Sequence, residues 1–263
     1  MKYPFSITCY HPPPMAPGSI LRLHGSWDSD AGQAWCRDLP ARVAAAPEAA
    51  VVYRARNVLV QLDGPSGPVV VKAFGKGKWW RPQRGLGKAV ESYDNGMHAL
   101  RQGIATPEPR AAVLATGTGG FYVCDWADGC RSVWDLHDGL LAEREYTALA
   151  EFVARMHDAG VHHRDLTPGN ILLKPDGAGG PETGFSHLLV DLNRMQFGPV
   201  SAATGLAALA KLECHGRLVA PYAAARGLDP VAAQRTFARV TLVERVTRRY
   251  KNATRPWRRK LGM

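Results

Sequence analysis

The most constraining feature of this 263-residue chain is a short polar segment at residues 163–170, with the sequence HRDLTPGN. It follows a helical pattern that runs from Leu140 to Ala159 and precedes an apolar run at 171–173. Proline and glycine near its end predict a loop between a helix and a strand. Within this loop Asp165 and Asn170 are five residues apart, so one site is predicted to receive both a carboxylate and an amide oxygen.

The segment matches the pattern H-R-D-L-x-x-x-N, which is the catalytic loop of protein-kinase-like enzymes. In that pattern Asp165 orients the attacking hydroxyl and accepts its proton, and Asn170 binds Mg²⁺. The alternative is a polar loop without a catalytic role. A chance match at all of the specified positions is improbable, and this favours the catalytic interpretation.

Two further residues fit the same chemistry. Lys72 ends the run VVVK on a predicted strand, as does the lysine that neutralises the α- and β-phosphates of ATP. Asp191 ends the apolar run LLVD, 26 residues after Asp165, and fits the metal-binding aspartate of D-F-G with Leu192 and Asn193 in place of Phe and Gly. The alternatives are an ordinary strand lysine and a solvated aspartate at a strand end.

The partner of Lys72 is expected to be a carboxylate on the helix that follows it. Glu91 is the first candidate and Asp94 is the second, since about one helical turn separates them. Either one is also compatible with an ordinary solvated position on a helix.

The chain has no G-x-G-x-x-G loop to cover the nucleotide phosphates. The turn between the first two strands of the predicted meander instead contains Arg54 and Arg56, whose guanidinium groups are predicted to bind phosphate. The segment Asp125-Trp126-Ala127 is predicted to be the hinge whose backbone meets the adenine, so Asp125 and Ala127 complete the predicted ATP site.

Strand patterns come first along the chain and helical patterns second. Runs at 51–53, 57–62 and 69–74 predict an antiparallel meander, and most of the chain after 140 has helical texture. We therefore predict an α+β protein with a two-lobed protein-kinase-like fold, a small, mostly antiparallel β N-lobe and a helical C-lobe. The predicted boundaries are an N-terminal arm at 1–40, the N-lobe at 41–127 and the C-lobe at 128–263.

The composition indicates which kinds of partner the chain is expected to bind. Lys and Arg number 33 against 23 Asp and Glu, a surplus of +10 that favours an anionic partner. No zinc, RNP or KH pattern supports nucleic acid. No apolar run is long enough to span a membrane, the N-terminus lacks the features of a signal peptide, and five scattered cysteines predict free thiols in a reducing compartment.

Taken with these motifs, the stretches VVVKAFG, GKAVESYDNGMHALRQGIATPEP, MHDAGVHHRDLTPGNILL and VDLNRMQF resemble the lipopolysaccharide kinase family, across residues 51–197. Thr167 stands where protein kinases usually have Lys, which fits sugar kinases better. The resemblance implies an ATP- and Mg²⁺-dependent enzyme that phosphorylates Kdo or heptose of the lipopolysaccharide inner core. It also implies a cytoplasmic location, peripheral on the inner membrane. Carried over by position, Lys72, Asp165, Asn170 and Asp191 would form the site.

Two basic segments, 75–88 and 244–260, are predicted to attract anionic lipid headgroups or the charged groups of the lipopolysaccharide core. The alternative for each is a solvated basic face. Only 72 residues follow Asp191, which argues against a protein substrate. The alternative functions are another small-molecule or protein kinase of this fold, or a non-catalytic kinase-like regulator.

Overall fold

The computed structural model describes residues 18–55, 57–75, 84–115, 119–136, 143–175, 185–214 and 216–253. The chain divides into two compact units, residues 1–93 with 108–126 and residues 94–107 with 127–263. The second unit includes 94–107 and Ala127, which were predicted to lie in the N-lobe, and the first unit includes the residues that were predicted to form an N-terminal arm.

The first unit is built on an antiparallel sheet. Its strands are β1 (Ser19–Leu23), β2 (Val51–Arg54), β3 (Asn57–Gly64), β4 (Gly67–Phe74), β5 (Pro109–Ala115) and β6 (Gly119–Asp125), in the order β1-β5-β6-β4-β3-β2. Every neighbouring pair is antiparallel. The predicted meander is therefore present as β2, β3 and β4, and it is extended by β6, β5 and β1.

Residues 18–40 do not form the separate arm that was predicted. They supply β1 and most of helix α1 (Asp30–Ala45), and they bury Trp27, Trp35 and Leu39 in the core of the first unit. The Ser29 side chain caps α1 by accepting a hydrogen bond from the Gly32 N–H. The burial of large aromatic side chains against the sheet outweighs the breaker residues on which the arm was predicted.

The two faces of the central strands have different roles. Val69 and Val71 of β4 pack with Trp27 and α1 in the core. Because side chains alternate along a strand, Val70 and Lys72 lie on the opposite face. The strand register pairs Lys72 with Tyr122 of β6, so these two residues share that face.

The second unit contains two small sheets and most of the helices. Its strands are β7 (Arg131–Ser132), β8 (Val161–His163), β9 (Ile171–Pro175), β10 (Phe185–Leu189) and β11 (Met195–Phe197), and its helices are α3 (Glu143–Asp158), α4 (Ala202–Leu209), α5 (Val219–Ala225) and α6 (Pro230–Ala253). Helix α2 (Arg84–Arg101) runs from the first unit into the second. The sheets have the orders β10-β9-β7 and β11-β8.

Helix α3 is the centre of the second unit. It buries Leu149, Phe152, Val153 and Met156, whose helical spacing places them on one side. Gly160 ends the helix with φ of +71°, a conformation that glycine adopts readily. The chain then enters β8 and the predicted catalytic loop. Within the described residues, no helix combines the length and the apolar character needed to cross a bilayer.

Candidate active site

The predicted catalytic loop is held between two strands of the second unit. β8 pairs with β11, with Met195 opposite His163, and the ladder continues because the Arg164 N–H donates to the Arg194 carbonyl at 2.9 Å. Leu166 is completely buried and anchors the loop in the core, whereas Asp165 is only half-buried. The fold thus fixes the backbone of the loop while the Asp165 carboxylate stays accessible.

His163 connects the two aspartates that carry the predicted chemistry. Its Nδ1 accepts a hydrogen bond from the Asp165 N–H at 3.2 Å, and its Nε2 lies 3.1 Å from the Asp191 carbonyl oxygen. A carbonyl only accepts, so Nε2 carries the proton and the ring is neutral. Burial lowers the pKa of His163, against the opposing effect of the bond to Asp191. The neutral ring therefore satisfies both backbone groups at once.

Asn170 lies beside Asp165, as the motif predicts. Its Nδ2 donates to the Asp165 carbonyl at 2.7 Å, so its side-chain oxygen faces away from that bond. The Val190 N–H donates to the Asn170 carbonyl at 3.0 Å, which brings the residue before Asp191 next to Asn170. The structure thus assembles Asp165, Asn170 and Asp191 in one small region of the second unit.

Asp191 has a left-handed backbone, with φ of 59° and ψ of 47°. This conformation is uncommon outside glycine, although aspartate tolerates it better than most residues. The segment is held by the Asn95 side chain, which donates to the Leu192 carbonyl at 2.7 Å, and by the Thr106 hydroxyl, which donates to the Leu189 carbonyl at 2.7 Å. A strained conformation that is fixed on both sides is typical of a functional position.

These residues fit a magnesium site that is completed by a nucleotide. Mg²⁺ is usually held by one or two carboxylates together with phosphate oxygens and water. Asp191 supplies a carboxylate and Asn170 an amide oxygen, and within the described residues no cluster of three or more His, Cys, Asp or Glu forms a self-sufficient metal site.

Lys72 lies in the first unit, on the sheet face opposite the core. Its Nζ is 5.3 Å from the centre of the Phe74 ring, and Tyr122 and Cys124 of β6 lie on the same face. Burial is the main cause that raises the pKa of Cys124 to about 12, whereas the positive charge of Lys72 acts in the opposite direction. Lys72 therefore lies on a sheet face that also carries the buried side chains of Tyr122 and Cys124.

The predicted hinge begins at a strong ion pair. Arg110 binds both carboxylate oxygens of Asp125 at 2.7 Å and also contacts Glu108 at 2.9 Å. The bond to Asp125 is the main cause that raises the pKa of Arg110. The Asp125 N–H donates to the Glu108 carbonyl and the Trp126 N–H to the Pro68 carbonyl, each at 3.0 Å. The Asp125 carboxylate and these two amides are therefore already engaged within the protein.

The remaining predicted nucleotide residues have different positions from those expected. Glu91 is exposed and has no ion pair within the described part of the chain, because the buried face of α2 is formed by neighbours such as Ala89 and Tyr93. The structure thus does not contain the predicted Lys72–Glu91 pair. Arg54 is exposed and pairs with Glu48 at 2.8 Å. Arg56 lies outside the described residues.

Two arginines that contact predicted site residues were not anticipated. Arg110 binds Asp125, and Arg194 Nη1 lies 2.8 Å from Asp165 Oδ2. The proximity of Arg194 to Asp191 in the sequence was the only signal available. Its contact with Asp165 depends on the pairing of β8 with β11, which a single sequence does not reveal.

Comparison with known proteins agrees with the geometry. The model of the lipopolysaccharide kinase (Kdo/WaaP) family matches residues 123–204, the region that holds Asp165, Asn170, Asp191 and Arg194. This match confirms the predicted resemblance and identifies the chain as a kinase, a phosphotransferase related to those of the lipopolysaccharide core. No curated protein matches the chain.

Among solved structures, WaaP in complex with acyl carrier protein aligns with 78% of this chain and 92% of its own, at 20% identity and a TM-score of 0.52. The Rio2 kinase from Chaetomium thermophilum aligns with 75% of this chain and 66% of its own, at 14% identity and a TM-score of 0.49. The likeness to WaaP confirms the predicted protein-kinase-like fold.

Proposed function

We propose that this chain, a kinase related to the lipopolysaccharide kinase family, transfers the γ-phosphoryl group of Mg²⁺-ATP to a hydroxyl of Kdo or heptose in the inner core. The observation that carries the proposal is the arrangement of Asp165, Asn170 and Asp191, which the neutral His163 ring and two strand pairings hold together. Such a site supports catalysis by positioning and by charge neutralisation.

Each residue has a distinct proposed role. The Asp165 carboxylate orients the acceptor hydroxyl and receives its proton. Asp191 and the side-chain oxygen of Asn170 would hold Mg²⁺, which when bound neutralises charge on the phosphates. Lys72 contributes a cation to the α- and β-phosphates.

The adenine is proposed to meet the backbone near Ala127. Of the three hinge amides, those of Asp125 and Trp126 are used in backbone hydrogen bonds, and the Ala127 N–H donates in none of those among the described residues. We propose that this N–H binds the adenine. Since Arg110 holds Asp125, that carboxylate contributes by fixing the hinge and not by direct contact with the nucleotide.

A direct test uses the purified protein with Mg²⁺-ATP and soluble core oligosaccharide. Asp165→Asn should lower phosphotransfer by orders of magnitude and leave ATP binding nearly intact, because the carboxylate acts chiefly in the transition state. Asp128→Asn is the matched control, since Asp128 is an exposed acidic residue outside the motif, and it should behave as wild type. Near-full activity of Asp165→Asn would refute the assignment. Absence of Mg²⁺-dependent transfer in the wild type would favour a non-catalytic regulator.

We further propose that the enzyme works at the cytoplasmic surface of the inner membrane, bound peripherally through α6. Near the C-terminal end of this helix Leu242, Val243 and Val246 are about 60% exposed, and Arg239 and Arg245 are exposed beside them. Apolar side chains among arginines are typical of a helix that lies in the interface of an anionic bilayer. Each basic residue near such a surface contributes about 1 kcal/mol. The predicted basic tail after residue 253 lies outside the described residues.

Vesicle sedimentation tests this surface. The protein should bind vesicles that contain anionic phosphatidylglycerol at low salt and be released at high salt, because the attraction is screened over about 8 Å at physiological ionic strength. Replacing Leu242 and Val246 by Ser should weaken binding several-fold. Val231→Ser is the matched control, since Val231 is equally exposed at the other end of α6. If the variant lost binding to an acyl carrier protein instead, a protein partner such as the one in the WaaP structure would replace the lipid surface.

A further inference from the structure

The cation beside the predicted base comes from an unexpected part of the chain. Thr167 occupies the position at which protein kinases usually carry Lys, two residues after the catalytic aspartate. In the structure Arg194 Nη1 instead lies 2.8 Å from Asp165 Oδ2, although it is 29 residues away in the sequence. The positive charge next to the Asp165 carboxylate thus comes from Arg194 and not from position 167.

The position of Arg194 follows from strand pairing. Met195 is opposite His163, and the next bond of the ladder joins the Arg164 N–H to the Arg194 carbonyl at 2.9 Å. The strand segment that pairs with Arg194 is also held by Lys211, whose Nζ donates to the Arg164 carbonyl at 2.7 Å. Strand pairing therefore fixes the backbone of Arg194, and its side chain extends from this fixed backbone to the Asp165 carboxylate.

The contact has little value for folding alone. The side chains of Arg194 and Asp165 are about 40% exposed (42% and 38%), and ion pairs of such exposure contribute little to stability. Its effect on the Asp165 carboxylate is more direct. Hydrogen bonds from Asp165 to His163 and from Asn170 to Asp165 fix the Asp165 backbone, and the side-chain rotation is what these bonds leave undetermined.

We propose that Arg194 is a positioning residue that sets the rotation of the Asp165 side chain. By binding Oδ2 it leaves Oδ1 to accept the proton of the acceptor hydroxyl. The acceptor oxygen then forms a bond to the γ-phosphorus, the bond from that phosphorus to the β,γ-bridging oxygen breaks, and ADP leaves with the electron pair. This inference rests on the proposed kinase function and adds a residue to it.

The kinetic test compares Arg194→Met, Arg194→Lys and the control Arg155→Met, whose arginine is exposed on α3. Arg194→Met should lower kcat about 10- to 100-fold with little change in the KM for ATP, because small displacements of a catalytic group have effects of this size. Arg194→Lys should recover part of the loss, since it keeps the charge. A wild-type kcat for Arg194→Met, or a loss confined to the KM for ATP, would overturn the proposal.

A double-mutant comparison separates positioning from direct action on the phosphoryl group. In an Asp165→Asn background, Arg194→Met should cause no further loss of single-turnover rate, because Arg194 acts through the carboxylate that has been removed. A further loss of the full 10- to 100-fold would show that Arg194 acts on the substrate directly and would refute the positioning role.

A structural measurement keeps this inference distinguishable from the kinase proposal. A crystal structure of the wild type should show the Asp165 side chain in one rotamer. A crystal structure of Arg194→Met should show it in several rotamers. One unchanged rotamer in both would overturn the inference even if the enzyme is active. Failure of the wild type to transfer phosphate would instead overturn the kinase proposal, and the rotamer comparison would still decide whether Arg194 orders Asp165.

Discussion

Gly205 of α4 packs against a buried polar cluster formed by His157, Tyr222 and Arg226, and its replacement by Ala gives a quantitative test of that packing. The Tyr222 hydroxyl accepts a hydrogen bond from Arg226 Nη1 at 2.8 Å and forms a second hydrogen bond with His157 Nδ1 at 2.8 Å. A Cβ atom at Gly205 would overlap this hydroxyl and would lie 3.0 Å from His157 Nδ1. Ala at this position must therefore displace Tyr222 and break the cluster.

The expected magnitude combines three contributions. Overpacking in a core costs about 1–3 kcal/mol, and leaving buried hydrogen-bonding groups without partners costs about 1–3 kcal/mol. The higher helix propensity of Ala offsets about 1 kcal/mol. We therefore expect Gly205→Ala to lower the free energy of unfolding by about 3 kcal/mol, measured by urea denaturation followed by circular dichroism.

Two further variants make this prediction specific. In a Tyr222→Phe background the overlapping hydroxyl is absent, so the cost of Gly205→Ala should fall by about 1–2 kcal/mol. Gly87→Ala in α2 should be neutral or stabilising, because nothing lies within 4 Å of the position that the alanine methyl group would occupy. An equal cost of Gly205→Ala in both backgrounds would refute the overlap, and a cost for Gly87→Ala as large as that for Gly205→Ala would indicate a general helix effect.

Three other predictions concern charge and burial. Lys72→Ala should weaken ATP binding, measured by calorimetry, whereas Glu91→Ala should leave it unchanged because Glu91 is exposed. An equal loss of ATP affinity in both variants would indicate that a Lys72–Glu91 ion pair takes part in binding. Burial lowers the pKa of His163 and brings that of His157 to about 3. Between pH 6.5 and about 3 an unfolded His157 binds a proton that the folded one does not, so urea unfolding should show stability falling by about 1.4 kcal/mol per pH unit from this residue, and His163 should act in the same direction. Constant stability from pH 7 to 5 would contradict this. Cys124, with its pKa raised to about 12, should resist iodoacetamide at pH 8 until the protein unfolds, as peptide mass spectrometry would show.

The local elements were predictable where periodicity and breakers agree. The strands around Lys72 and the helix that ends at Gly160 follow from alternating or helical apolar patterns with clear stops. Helix α1 was not predicted, because it contains Pro40 and follows a proline-rich stretch. Its stability depends on burying Trp27 and Trp35 against the sheet, a tertiary effect that local propensity does not contain.

The part of the candidate site that lies within one sequence motif was predictable. Asp165 and Asn170 are five residues apart in one loop, so the sequence alone brings them together. Arg194 was missed because its contact with Asp165 depends on strand register. Glu91 was assigned by analogy to a helix position, and the rotation of α2 instead exposes it.

The pairing of β9 with β10 has a consequence for how the chain tolerates changes in length. Phe185 lies opposite Pro175 at the end of the ladder where the chain connects the two strands, and Leu189 lies opposite Ile171 at the other end. Just beyond that other end the Val190 N–H donates to the Asn170 carbonyl, which brings Asp191 close to Asn170. The register of the two strands fixes the positions of Asn170 and Asp191, whatever the number of residues that connect the strands. Insertions between 176 and 184 should therefore change the spacing from Asp165 to Asp191 without moving either carboxylate. A peptide tag or reporter placed there would leave the catalytic residues in register, whereas one added residue between Asp191 and Met195 would disrupt them.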